Sequence, residues 1–177
     1  MSEIEQKCQK IRLILSDVDG VLTDGTIWYN DQGVESKPFH SHDGHGIKLW
    51  QKIACHHFGI VTARKSQAVV HRAADLGISL VRQGVSDKPA AVREIMELKQ
   101  LTFEQICFIG DDLPDLLPIR LAALGVAVSD AVQEVIHAAD YVTQRRGGCG
   151  AVRETIELIL KYQKHWPDLM YLYTGDE

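Results

Sequence analysis

Asp17 and Asp19 stand in Ser16-Asp17-Val18-Asp19-Gly20, directly after the apolar run 11–15. Thr62 follows the short apolar run 60–61. Lys88 lies in Ser86-Asp87-Lys88, a few residues beyond the run 78–81. Gly110-Asp111-Asp112 follows the run 106–109. If each run is a strand and the strands are neighbours, four carboxylates, a hydroxyl and an ammonium face one small volume. Carboxylates that close repel one another, and some would be driven to protonate. A divalent cation removes the conflict. The donors are hard oxygens with no cysteine or histidine among them, which suits magnesium far better than zinc or copper. With that cation present, a carboxylate such as Asp17 can attack phosphorus and form an aspartyl-phosphate. Thr62 and Lys88 can hold the phosphoryl oxygens. Asp19 can protonate the leaving oxygen and later activate water.

Each element has a plainer reading. Asp-x-Asp at a strand end forms turns, Thr62 fits a strand, Lys88 suits a solvated helix start, and Gly-Asp-Asp can cap a helix. Their occurrence in order, each just after an apolar run, favours the chemical reading. A calcium loop starting at Asp17 fails, because its fifth and twelfth positions would be Val21 and Trp28.

The elements that must position these groups alternate between short apolar runs and helix-period segments. Strands are expected at 11–15, 60–62, 78–81, 106–109, 126–128 and 141–143. Helices are expected at 47–58 (ending at Gly59), 67–76 (ending at Gly77), 88–98, 115–123, 131–138 and 151–162. Segments 26–29 and 34–39 flank Asn30-Asp31-Gln32-Gly33 and read as a hairpin. This is an α/β pattern, with a mostly parallel sheet and helices on both faces. The runs 11–15 and 106–109 lack alternation, as parallel strands buried on both faces do. Ligands in such sheets bind beyond the carboxyl ends of the strands, where the residues above are found.

The 177 residues suit one domain, with a hairpin at 26–39 and a tail at 164–177. The formal charge of −5 argues against nucleic acid or anionic membrane as partners. Cys8, Cys55, Cys107 and Cys149 form no C-x-x-C pair, and Cys55 and Cys107 read as buried thiols. Nothing resembles a signal peptide or a membrane span, so a cytoplasmic location is expected.

The stretches SDVDGVLTDG, VTAR, SDKP and GDDLPD together resemble the haloacid dehalogenase superfamily of phosphotransferases, over nearly the whole chain. The resemblance implies a Rossmann-like sheet, with Asp17 as nucleophile and Asp19 as general acid/base. It implies Mg2+ on Asp17, Asp111 and the backbone carbonyl of Asp19. Phosphate or substrate contacts are implied for Thr26, Thr62, Ala63, Arg64, Lys88 and Asp112. A narrower resemblance rests on DVDGVLTDG, HDGHGIKLW and ADYVTQRRGGCGAVRE. It is to the capless phosphatases of sugar-acid phosphates such as 3-deoxy-D-manno-octulosonate 8-phosphate (Kdo 8-phosphate), enzymes of lipopolysaccharide synthesis that assemble as homotetramers through their hairpins. Similar domains act on N-acylneuraminate 9-phosphate or related nonulosonate phosphates. Neither the stretch from Asp19 to Thr62 nor that from Lys88 to Asp111 can house a cap, so a neighbouring subunit is the expected missing wall.

The sequence departs from the superfamily pattern in three places. Ala63 stands where glycine is usual, Cys149 where arginine is frequent, and His40, His42 and His45 form a local cluster. Arg145 or Arg146 could take the arginine's anion-binding role. The histidines read as surface or pocket residues before a metal site. Arg64 could grip a substrate carboxylate bidentately or form a structural ion pair. Trp166, Leu169, Met170, Tyr171 and Tyr173 could pack on the chain's own core or reach a neighbouring site. A phospho-aspartate receiver module is the rival of another class. Its phosphoacceptor follows the third strand, however, and no acidic pair should follow the lysine, as Asp111 and Asp112 follow Lys88 here. A non-catalytic relative is the other rival.

Overall fold

In the computed structural model, which describes residues 2–53 and 55–175, β1 (Leu13–Ser16) lies in the middle of a six-stranded sheet. The strand order is β5-β4-β1-β6-β7-β8, with β4 at His57–Thr62, β5 at Leu80–Gln83, β6 at Ile106–Gly110, β7 at Leu124–Ala127 and β8 at Tyr141–Val142. Every neighbouring pair is parallel. From β1 the chain builds outward to β4 and β5 on one side, then returns to build β6, β7 and β8 on the other. The crevice between β1 and its neighbours is therefore the switch point, where ligands collect at the carboxyl ends. All residues of β1 and β6 are buried, as their unbroken apolar runs require.

The helices are α1 (Glu3–Lys10), α2 (Ser41–Trp50), α3 (Gln67–Leu76), α4 (Lys88–Lys99), α5 (Leu116–Leu121), α6 (Gln133–Ala138), α7 (Ala151–Tyr162) and α8 (Trp166–Thr174). They cover both faces of the sheet. Helix α7 shows the logic best. Val152, Ile156, Ile159 and Leu160 recur at helical spacing, and all four are fully buried. Its first turn is tied to α2 by the buried Asp43, whose carboxylate accepts the backbone N–H groups of Arg153 (2.7 Å) and Gly150 (3.3 Å).

The expected helix at 47–58 is displaced. Helix α2 runs from Ser41 to Trp50, and β4 already begins at His57. The Trp50 indole donates to the His57 carbonyl at 2.7 Å, and Cys55 turns the chain back with φ 65°. Ala54, counted to the expected helix, lies outside the described residues. Gly59 is not a helix terminator but a strand residue. A Cβ there would stand 2.7 Å from Leu15 Cδ2, so β4 and β1 need glycine to pack. Cys55, expected to be buried, is exposed, whereas Cys107 is buried. Helix α1 goes beyond the expectation of a polar N-terminus. It is an amphipathic helix capped by Ser2 and anchored by the buried Cys8.

The hairpin forms from two strands of two residues each, β2 (Trp28–Tyr29) and β3 (Glu35–Ser36), paired antiparallel. Ile27, Trp28, Tyr29 and Val34 are exposed on it. The tail is the helix α8, with its last two residues, 176 and 177, outside the described range. Its Leu169 is buried and Trp166 and Met170 pack on the core, while Tyr171, Leu172 and Tyr173 stay exposed.

Candidate active site

The loops after β1 and β6 and the start of α4 converge. The Asp17 backbone N–H donates to the Ile109 carbonyl at 3.1 Å, extending the pairing of β1 with β6 by one residue. Immediately after it, the N–H groups of Val21, Leu22 and Thr23 all point at the Val18 carbonyl, within 2.9–3.2 Å. This tight turn returns the chain past Asp19 and is completed by Gly20 at φ +87°. A Cβ on Gly20 would stand 2.0 Å from Asp111 Oδ2. Only glycine lets the loop after β1 meet the loop after β6 so closely.

Lys88 is the first residue of α4, which Asp87 caps by accepting from the Ala90 N–H at 3.0 Å. Its side chain turns inward and is only 4% exposed. Nζ lies 2.8 Å from Asp17 Oδ2 and 2.6 Å from Asp115 Oδ1. Asp115 is fully buried, and its Oδ2 accepts the backbone N–H groups of Asp111 (3.1 Å) and Asp112 (3.4 Å). One carboxylate thus locks the loop after β6 and orients the lysine. Asp17, Asp111 and Asp115 each bring a carboxylate oxygen within 4.8 Å of the others, the one group of this kind among the described residues.

The electrostatics fit a cation. Burial, then the Asp115 charge, pushes the Asp17 carboxyl up to about 6 against the pull of Lys88. Burial, then Asp115 and Asp17, pushes Asp111 up to about 8. Burial alone would lower the Lys88 ammonium, but Asp17 and Asp115 outweigh it and raise it. Asp17 Oδ1 and Asp111 Oδ1 are buried without a hydrogen-bond partner. Buried polar atoms are rarely left so. Two orphaned hard oxygens in an electronegative cluster suit a divalent cation, and Asp17 and Asp111 are the side chains that would hold it.

Thr62 ends β4 and is buried, its Oγ1 accepting from the Arg64 N–H at 3.4 Å. Ala63 follows it in an exposed turn. Asp19 is half-buried. Its Oδ1 accepts from Lys37 of the hairpin, and Arg64 Nε lies 3.6 Å from its Oδ2. Arg64 also donates to Tyr29 Oη (3.0 Å) and Glu35 Oε1 (2.7 Å), so the guanidinium is an ion-pair partner of the hairpin.

Two expected contacts fall outside this cluster. Asp112 is exposed and caps its own turn by accepting from the Leu113 N–H at 2.8 Å. The acid that supports the loop and Lys88 is Asp115, three residues on. Thr26 is exposed, and its bond in the structure is a backbone donation to Asp24 Oδ1. Among the described residues, the three histidines do not form a group with metal-ligand spacing. His40 and His42 meet edge-on at 5.0 Å, while His45 Nε2 lies 3.3 Å from Tyr173 Oη. Arg146 pairs with Asp130, and Cys149 is exposed beside it in a loop whose Gly148 N–H donates to the Val21 carbonyl at 2.9 Å. Sequence reasoning missed Asp115 and Lys37. The first was legible as the last acid of Gly-Asp-Asp-Leu-Pro-Asp, three residues beyond Asp112 on a turn. The second carried no local signal, because only the folded hairpin brings it to Asp19.

Known proteins resemble this chain over most of its length. Residues 58–153 match the haloacid dehalogenase-like hydrolase family. The 3-deoxy-D-manno-octulosonate 8-phosphate phosphatase KdsC of Escherichia coli K12 is 41% identical over 164 residues, covering 92% of this chain and 86% of that protein. A Moraxella catarrhalis phosphatase of the same name, solved with magnesium, phosphate and Kdo, superposes with a TM-score of 0.95 at 39% identity, covering 98% of this chain and 99% of that one. A cobalt-bound deoxy-D-mannose-octulosonate 8-phosphate phosphatase from Haemophilus influenzae gives 0.88 at 37%, covering 96% and 97%. The chain therefore belongs to the haloacid dehalogenase-like hydrolases, in the group formed by the 3-deoxy-D-manno-octulosonate 8-phosphate phosphatases.

Proposed function

We propose that this protein hydrolyses Kdo 8-phosphate to Kdo and inorganic phosphate, with Mg2+ as cofactor, as a step of lipopolysaccharide synthesis. One observation carries the chemistry: Lys88 fixes Asp17 Oδ2, while Asp17 Oδ1 lies buried and unpartnered in the same cluster as Asp111 Oδ1. Asp17 attacks phosphorus with a carboxylate oxygen, the bond from phosphorus to the ester oxygen breaks, and Asp19 gives that oxygen its proton. The free alcohol leaves and an aspartyl-phosphate remains. Asp19, now a carboxylate, takes a proton from water as the water attacks phosphorus. The bond to Asp17 breaks, releasing phosphate and restoring Asp17. Thr62, the Ala63 N–H and Lys88 hold the phosphoryl oxygens throughout. Asp17, Asp111 and the Asp19 carbonyl would hold the magnesium, which supplies positive charge against the phosphoryl oxygens.

The proposal includes a homotetramer in the cytoplasm. The exposed Ile27, Trp28, Tyr29 and Val34 support the first, since an apolar cluster on a small hairpin favours a protein partner. Four free cysteines suit a reducing compartment. Among the described residues, no helix is long and apolar enough to cross a membrane. A phosphate-release screen with Mg2+ over sugar phosphates tests the reading. The highest kcat/KM is expected on Kdo 8-phosphate, above N-acetylneuraminate 9-phosphate. Dominant activity on a phosphate lacking a sugar acid would overturn it.

A further inference from the structure

Asp19, Lys37, Glu35 and Arg64 form a closed ring of alternating charge. Lys37 donates to Asp19 Oδ1, and its Nζ lies 3.4 Å from Glu35 Oε1. Glu35 Oε1 accepts from Arg64 Nη2 at 2.7 Å, and Arg64 Nε returns to Asp19 Oδ2 at 3.6 Å. The Lys37 side chain is 1% exposed. An ammonium so desolvated persists only with anions against it, and Asp19 and Glu35 are those anions. We propose that Lys37 is a positioning residue for catalysis, carried by the hairpin to orient Asp19 toward the leaving oxygen. The inference rests on the reading of Asp19 as the acid/base.

The two oxygens of Asp19 are not equivalent. Oδ1 is held by Lys37, whereas Oδ2 is buried with no hydrogen-bond partner, since 3.6 Å from Arg64 is too long for one. A lysine ammonium has only donors, so it cannot accept a proton shared with Oδ1. The proton given to the ester oxygen is therefore carried on Oδ2, and Lys37 sets which way Oδ2 faces. Glu35 holds Lys37 and Arg64 together, so β3 supplies the support and the residue just after it the positioning group. The hairpin then has a part in turnover besides presenting apolar side chains.

The test uses the dependence on the leaving group. A sugar alcohol must be protonated as it departs, whereas p-nitrophenolate leaves without a proton. For Lys37→Met, kcat/KM on Kdo 8-phosphate is expected to fall about 100-fold, and on p-nitrophenyl phosphate less than about threefold. Lys37→Arg, which keeps the charge, is expected to recover to within about fivefold of the native value on both. Equal loss on the two substrates, no loss, or failure of arginine to restore the sugar substrate would overturn the role. If Lys37→Met does not fold in a thermal melt, Glu35→Gln is read instead. A selective loss of roughly threefold to tenfold on the sugar substrate is expected there, and an unselective one overturns the role. Asp19→Asn separates the two levels. Selective loss there but not at Lys37 rejects the positioning role alone, and no selective loss at Asp19 rejects the acid/base reading beneath it.

Discussion

Asp112 and Asp115 are both acidic and three residues apart, yet burial gives them opposite parts. Asp112 faces solvent and caps a turn, while Asp115 is sealed against Lys88 and two backbone N–H groups. Asp115→Asn removes one of the two carboxylates against Lys88, leaving Asp17 at 2.8 Å, and weakens the acceptor of two backbone N–H groups, at about 1–3 kcal/mol. Asp115→Asn is expected to lose stability on that scale in urea unfolding and to lose most phosphatase activity. Asp112→Asn should stay within about 1 kcal/mol of the native protein, as surface changes do. Similar effects at the two positions would contradict the placement of Asp115 as the group that orders Lys88 and the loop after β6.

The elements that carry the site depend on one close approach, that of Gly20 to Asp111. Gly20→Ala adds a methyl 2.0 Å from the Asp111 carboxylate and demands a left-handed residue at φ +87°, where the backbone cost alone is about 1–2 kcal/mol. The variant is expected to fold with a lowered Tm and to bind Mg2+ at least about tenfold more weakly by titration calorimetry. Native metal affinity would contradict the packing. The same elements show how far sequence reaches. The strands and helices from Gln67 to Tyr162 were legible because apolar runs, Gly77 and Pro89 mark them locally, whereas the helix of the tail was not expected. Helix α7 matches its expected bounds because its apolar stripe is unbroken. Helix α2 was not legible, since its first half is polar and glycine-bearing, and it is fixed instead by Asp43 against α7 and by Trp50 against His57. Asp17, Asp19, Thr62, Lys88 and Asp111 could be proposed because strand ends in a parallel sheet share one crevice. Lys37 could not, because its approach to Asp19 depends on how a short hairpin folds back.

For the whole molecule, the acidic cluster ties stability to pH. Asp17 and Asp111 have folded values near 6 and 8, above the usual carboxylate range. A carboxyl raised on folding contributes stability that is fully present below its unfolded value near 4. That contribution is lost as pH rises through the folded values. Between about pH 5 and pH 8.5, the metal-free protein should therefore become less stable as pH rises. Cation binding needs both carboxylates ionised and should release protons at the lower end. The Mg2+-induced rise in Tm is expected to be larger at pH 8.5 than at pH 6 by differential scanning fluorimetry. A metal-free Tm that climbs with pH over this range would show that other groups control stability.

The central chemical step of the proposed function is the transfer of a phosphoryl group to Asp17. Rapid acid quench of the enzyme turning over Kdo 8-phosphate with Mg2+, followed by peptide mass mapping, reads it directly. One phosphoryl group is expected on the peptide containing Asp17, removable by hydroxylamine and absent from Asp17→Asn, which should fold and be inactive. A phosphoryl group on another residue, or steady hydrolysis by Asp17→Asn, would contradict it.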